Sequence, residues 1–391
     1  MFQEELKKIF RGPLKWALIL VFMLNIAIIF INYFEFRHQV GNVKKYNDFA
    51  DQYEGVLDQE FAEQCKNNVS GNKGIDKDGD MDDSAIDGGQ RGRLYFYSDY
   101  WMSSEAYKAW NKVEGEPESK PVSYEGIKKY IDYDGNRNDP VYPIKEMEFQ
   151  MLSKTGAPNY YYNIVGIKNI VRTLTGGMIS FFLIIIVLIL IVSSSFSVEN
   201  SSNMSSIILT AANGRKKILK AKIAVVQLIS WIWISLYYWV CVVLYLLLFD
   251  NFGKLSIPLN AIDSFYKSPY NIKIWQFLII GYLFYIIGGF AITAFLSVLA
   301  VVIKSPILNF GVGILILLFP LFIPSNGMFG TIGILFPDMS MQANTLFQDM
   351  QAVNFMGKPI LLCYVAPIVS LAIGIFMCAI HYKVYIKGSI E

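Results

Sequence analysis

MISFFLIIIVLILIVSSSFSV, residues Met178–Val198, runs for twenty-one positions without a charge. A helix needs roughly 20 apolar residues to cross the hydrocarbon core of a bilayer, so this run is long enough to span one. Five others share its character: Leu14–Phe34, Ile223–Phe249, Ile274–Ile303, Pro306–Ile323 and Pro359–Tyr382. Backbone polar groups facing lipid must be satisfied internally, so all six are expected as helices. Of the 391 residues, 54% are hydrophobic and 17% charged, and the mean hydropathy is +0.38, too apolar for an ordinary soluble domain of this size. Leu14–Phe34 is too long for a removable signal peptide and lacks a small-residue cleavage site, so it reads as a retained anchor.

The net charge of +2 hides a division. Residues 35–172 carry 24 acidic and 18 basic side chains, while the positive excess lies in the membrane part. Lys7, Lys8 and Arg11 precede the first run and Lys15 stands at its edge, and Arg215, Lys216, Lys217, Lys220 and Lys222 lie between the second and third. Lys304 follows the fourth, and Lys383 and Lys387 follow the sixth. With six spans all these flanks fall on one side, which the positive-inside rule makes the cytoplasm. The expected protein is therefore an α-helical polytopic membrane protein of a bacterial cell membrane with both termini cytoplasmic. Its parts are 1–34 (an N-terminal helix and the first span), 35–172 (a large extracellular α+β domain) and 173–391 (spans two to six). The residues 250–273 and 324–358 face out, and 324–358 has the composition of a segment that dips back beside the sixth span, buried in protein.

At the N-terminus, Phe2, Leu6, Ile9 and Phe10 fall at helical spacing among charged neighbours, as in an amphipathic helix lying in the headgroup plane until Gly12-Pro13 breaks it. In the outer domain, the periodicity of Tyr46–Cys65 predicts helix. Leu94–Trp101, LYFYSDYW, reads as an aromatic strand, and Ser104–Val113 as a short helix capped by Ser103 or Ser104. The many tyrosines fit packing of a small domain better than a ligand groove. Asp76, Asp78, Asp80, Asp82 and Asp87 have oxygens at the spacing of a calcium loop. Met81 stands where that loop needs glycine and Asp87 where it needs glutamate, so a solvated acidic loop is favoured over a calcium site. Four cysteines, Cys65, Cys241, Cys363 and Cys378, show no zinc or disulfide spacing.

Between the second and third runs, Met204, Ile207, Ile208, Ala211 and Ala212 recur at i, i+3, i+4, i+7 and i+8. Ser201 or Ser202 can cap such a helix and Gly214 can end it, which predicts a short amphipathic helix within residues 201–214. An apolar stripe there needs a cover, either the membrane surface or a partner. The basic cluster after it sets topology and is expected to snorkel to headgroups. In this arrangement the sequence resembles the permease subunits of ATP-binding-cassette transporters of the type-2, export-related family. Glu199, the segment Ser205–Ala212, Arg215 and Lys222 match in order that family's glutamate, coupling helix, basic turn and lysine, with Asn203 where the family often has glycine. The resemblance implies that Phe2–Arg11 is an elbow helix and that the fold has six spans. It also implies that a cytoplasmic ATPase dimer, holding ATP and Mg, grips the coupling helix of this chain and of a second permease copy or paralogue.

Other chemistries find little support. No Asp, Glu, Lys or Arg lies in the interior of any of the six runs, Lys15 being at the edge of the first, which argues against a proton- or sodium-coupled carrier. The chain has no G-x-x-x-x-G-K-[ST] loop, so ATP hydrolysis is expected in a partner. With two histidines, His38 and His381, and neither H-E-x-x-H nor G-x-S-x-G, no catalytic constellation emerges and no cofactor of its own is expected. Basic residues mark membrane flanks, so lipid rather than nucleic acid is the expected contact. The function read here is ATP-driven export of a peptide, such as an antimicrobial peptide, or of another amphiphile. The rival is a membrane receptor or immunity protein that binds a peptide through its outer domain without moving it.

Overall fold

The computed structural model describes residues 2–11, 14–71, 88–112, 123–175, 178–201, 214–303, 305–318, 333 and 335–387. The first helix, α1 (Phe2–Arg11), stops at Gly12-Pro13, and α2 (Leu14–Val40) starts just beyond. Along α2 the residues Leu14, Leu18, Val21, Asn25 and Ile29 form one buried stripe, whereas Trp16, Ile19, Leu20, Met23 and Leu24 stay exposed. One side of the helix meets protein and the other offers apolar surface, the pattern of a helix with lipid at its back.

α2 runs six residues past the expected end of its apolar run and enters the domain of residues 35–172, expected to face out. There follow α3 (Val43–Ala50), capped by the Asn42 side chain, which accepts from Lys45 N at 3.1 Å, and α4 (Gln59–Gly71). Next come α5 (Gly88–Asn111), α6 (Tyr124–Asp132), α7 (Tyr142–Thr155) and α8 (Val165–Ile170). The only sheet among the described residues of this domain is a two-residue antiparallel ladder, β1 (Gly55–Val56) with β2 (Tyr160–Tyr161). The expected α+β character thus shrinks to a clip on a helical domain. LYFYSDYW is helical, within α5, because its aromatic residues pack around a helix axis: Phe96 lies 4.8 Å from Tyr53, 5.1 Å from Phe49 and 5.6 Å from Tyr161, measured between rings. Tertiary packing overrides a local preference in such cases. Ser103 and Ser104 sit inside the same helix and cap nothing; their hydroxyls bond Asp263 and Gln59. The expected helix over Tyr46–Cys65 is divided by the β1 turn into α3 and α4.

The bundle consists of α9 (Met178–Ser201), α10 (Gly214–Phe249), α11 (Ile274–Val302), α12 (Pro306–Leu318) and α15 (Leu362–Lys387), with α2. Among the described residues, four helices are long and apolar enough to cross a membrane: Leu14–Val40, Lys217–Phe249, Ile274–Val302 and Leu362–Val384. Phe181–Phe196 and Ile307–Leu318 are shorter apolar helices. α11 sits centrally, packed on α9, α10, α12 and α15. Polar side chains pair across the bundle: Thr293 Oγ1 donates to Gln227 Oε1 at 3.0 Å and Asn309 Nδ2 to Ser193 Oγ at 2.9 Å. The C-terminal third of α10 is stapled to α2 and to the domain of residues 35–172. Asn25 donates to Tyr237 O, Asn32 to the Tyr245 hydroxyl at 2.6 Å and Asn47 to Phe249 O at 3.0 Å, while Gly166 N donates to Asn251 Oδ1 at 2.8 Å.

Between α12 and α15 the described chain turns back into the bundle as α13 (Pro337–Ser340) and α14 (Ala343–Phe347). It then leaves through a hairpin, β3 (Ala352–Phe355) and β4 (Lys358–Leu361), whose tight turn puts Met356 and Gly357 at positive φ. α13 packs on α11 and α15. The contact requires Gly288, where a Cβ would lie 2.7 Å from the Pro337 carbonyl oxygen.

Candidate functional site

Three places concentrate polar chemistry. The first is the basic end of the bundle, where α1 packs against α2, α9 and α10. Leu6 faces the core there, while Phe2 is partly exposed. Ile9 and Phe10 lie on the α1 backbone, Glu199 on that of α9 and Arg215 on that of α10; their side chains are outside the described residues. The coupling segment itself, with Met204, Ile207, Ile208 and Ala211, also lies outside them, as does the acidic loop with Asp76, Asp78, Asp80, Asp82 and Asp87.

Lys222 departs from expectation. Lys217 and Lys220 are exposed, but Lys222 is 2% exposed and points inward. Its Nζ donates to the Ser195 carbonyl at 3.1 Å and stands 5.6 Å from the Phe196 ring centre. The Phe196 ring meets His381 edge-on at 4.9 Å. A carbonyl already in a helix ladder keeps a second lone pair, and an ammonium can use it while the ring face adds cation–π attraction. The lysine therefore ties the end of α9 to the start of α10, with α15 alongside. Sequence reading found Lys222 by its position but not its partners, because carbonyl contacts leave no mark in a sequence.

The second place is an ion cluster outside the bundle. Lys168 Nζ lies 2.7 Å from Asp99 Oδ1 and 2.7 Å from Asp263 Oδ2, joining α8, α5 and the segment after α10. The Tyr161 hydroxyl donates to Asp99 Oδ2 at 3.1 Å and Ser103 Oγ to Asp263 Oδ1 at 3.1 Å. Burial pushes the Asp99 carboxyl up, against the pull of Lys168. For Lys168, burial works the other way, but the two carboxylates, Asp99 first, more than offset it and raise its pKa. The close contacts support a charged ammonium shared by two acids. Beside it opens a cleft of about 510 Å³ lined by Lys168, Arg172, Asp263, Gln342, Thr345 and Gln348, among others.

The third place is inside the bundle, where Asp338 of α13 borders a cavity of about 230 Å³ between α11, α12 and α15. Sequence reading counted charges within the apolar runs and so passed over an acid carried inward by a connecting segment.

Among the described residues, no group of three or more His, Cys, Asp or Glu is placed to hold a metal ion. The four cysteines are free thiols. Of the tyrosines in residues 35–172, Tyr46, Tyr100, Tyr130 and Tyr161 are buried, and Tyr53, Tyr133 and Tyr160 are exposed. No family model matches the chain, and neither a curated protein nor a solved structure is significantly similar to it.

Proposed function

We propose that this chain is the membrane-spanning permease subunit of an ATP-driven transporter of the ATP-binding-cassette type, exporting a peptide or another amphiphile. In this reading α9 and α12 are the second and fifth of six spans, the basic flanks face the cytoplasm and residues 35–172 face out. The observation that carries the reading is the packing at the basic end. α1 lies against α9 and α10, the two helices that residues 202–213 connect, and Lys222 ties those helices together. A force applied to that connection enters both helices at once, which is what rigid-body coupling to a separate motor needs. The apolar Met204, Ile207, Ile208 and Ala211 face would seat in the ATPase.

Purification from membranes with a co-expressed ATPase tests this. Wild type is expected to retain an ATPase whose hydrolysis responds to the permease. Replacing Ile207→Asp together with Ile208→Asp should abolish that retention while leaving membrane insertion intact. An unchanged complex in the double variant removes the docking role. A chain that purifies alone and binds a peptide through residues 35–172 favours the receptor reading.

A further inference from the structure

A cleft of about 400 Å³ opens where the end of α2 meets α3 and α5. Two glycines build it. Gly41, at φ +74°, turns the chain out of α2, and Gly92 lets α5 close on that turn, since a Cβ there would lie 3.2 Å from the Val40 carbonyl oxygen. Tyr46 and Phe49 of α3 line the cleft, and Tyr46 is held edge-on against Phe36 at 5.3 Å and Tyr95 at 5.7 Å. Lys45 and Arg93 complete the lining, with Asn42 beside them. Arg93 follows Gly92, and its guanidinium carbon stands 5.9 Å from the centre of the Phe49 ring. Cation–π attraction thus holds the guanidinium over a wall of the cleft.

The charge there runs against its surroundings. Residues 35–172 hold 24 acidic and 18 basic side chains, yet among the described residues the cleft is lined by two cations and no acid. Other cations of this domain are taken up by acids: Lys108 by Glu63 and Glu105, Lys168 by Asp99 and Asp263. Lys45 and Arg93 make no ion pair among the described residues, and both are exposed.

Depth points to the source of the anion. Phe34 is the last large apolar side chain exposed on α2, and Glu35, Arg37 and His38 follow it on the surface. Val40 is six residues farther along the helix, about 9 Å. The headgroup layer adds about 5–8 Å to each side of the hydrocarbon core. With α2 as a span, the cleft therefore stands at the outer border of that layer.

We propose that this cleft binds the phosphate of an anionic phospholipid, with the Arg93 guanidinium donating to two of its oxygens and Lys45 adding a point charge. A headgroup with an amine would bring its ammonium beside two cations. Phosphatidylglycerol does not, and its glycerol hydroxyls can meet the Asn42 side chain. The volume falls within the roughly 300–1,000 Å³ of small-molecule sites, enough for a headgroup, while the acyl chains would lie along Ile31 and Phe34, exposed on α2. The site needs α2 to be a span, and it needs neither an ATPase nor a given face of the membrane.

The test is native mass spectrometry of the full chain, purified in dodecylmaltoside and supplied with dioleoylphosphatidylglycerol, dioleoylphosphatidylcholine or inorganic phosphate. Wild type should take up its first phosphatidylglycerol at least about ten-fold more tightly than its first phosphatidylcholine. Arg93→Gln together with Lys45→Gln should erase that preference by weakening phosphatidylglycerol alone, with an unchanged thermal midpoint because both side chains are exposed. Lys128→Gln, which removes an exposed cation from α6, should keep the preference and so separates the cleft from diffuse charge. No preference in wild type, or an equal loss in Lys128→Gln, overturns the proposal. Inorganic phosphate that binds wild type and not the double variant, without any lipid preference, overturns the lipid as source and leaves a site for a soluble phosphate.

Discussion

Asp99 in the outer domain and Asp338 in the bundle are both carboxyls withdrawn from water, and they differ in what faces them. Asp99 meets an ammonium and a phenol hydroxyl on neighbouring elements, and the whole cluster holds α5, α8 and the segment after α10 together. Asp338, buried among alkyl and aryl groups, is met by the backbone amides of Asp338 and Met339, and among the described residues it makes no ion pair. An acid answered from within its own chain is explained by the fold it secures. One met by the amides of its own short helix joins no second element, and that contrast separates a cluster that ties three elements together from a carboxyl that serves one.

The strongest way to break the contrast is Lys168→Met, which leaves Asp99 buried beside no cation. Removing one partner of a buried pair costs about 3–5 kcal/mol. A fifth of the Lys168 side chain still reaches solvent, so the low end is expected, read as a fall in the thermal unfolding midpoint of the detergent-solubilised chain. Adding Asp99→Asn should restore part of that loss. The pH dependence carries the same signature. The folded pKa of Lys168 lies above the ordinary lysine value of 10.5, so its contribution is fully present below that value and fades as pH rises through the folded pKa. An alkaline loss of stability that Lys168→Met abolishes is the expected result.

Asp338→Asn should act in the opposite direction and more weakly. Neutralising a buried carboxyl that backbone amides meet but no cation does is expected to stabilise by about 1–3 kcal/mol, and a clear drop in midpoint would show that the amide contacts outweigh the burial of the charge. The smallest effect belongs to Lys108→Ala. Its contacts with Glu63 at 2.6 Å and Glu105 at 3.0 Å are exposed, and exposed pairs add little. Its midpoint should match wild type, which separates burial from mere proximity of charge.

The apolar runs were legible because a helix in lipid must be greasy for its whole length, and Leu14–Val40, Lys217–Phe249, Ile274–Val302 and Leu362–Val384 follow them closely. LYFYSDYW was misleading because aromatic residues favour a half-buried surface of either kind. Only contacts from distant Phe49, Tyr53 and Tyr161 decide that it winds as a helix. Asp338 escaped notice for a related reason. In a stretch rich in Pro, Gly and polar residues, an acid reads as solvated, and its depth is set by the contact of Gly288 with Pro337 and Met341, far away in sequence. Lys222 had the right address and the wrong heading, since nothing local tells an ammonium to turn inward.

The Asn side chains that bind α10 to its surroundings have a mechanical corollary. Its 36 residues make an unbroken rod of about 54 Å. Near the top, Asn47 grips the Phe249 carbonyl and Asn251 holds the amide of Gly166, so the rod is bolted to the outer domain and not hung from it by a tether. Displacement delivered near Gly214 would arrive beyond Phe249 as displacement of that whole domain, and a distance label placed there would register events on the far side of the rod.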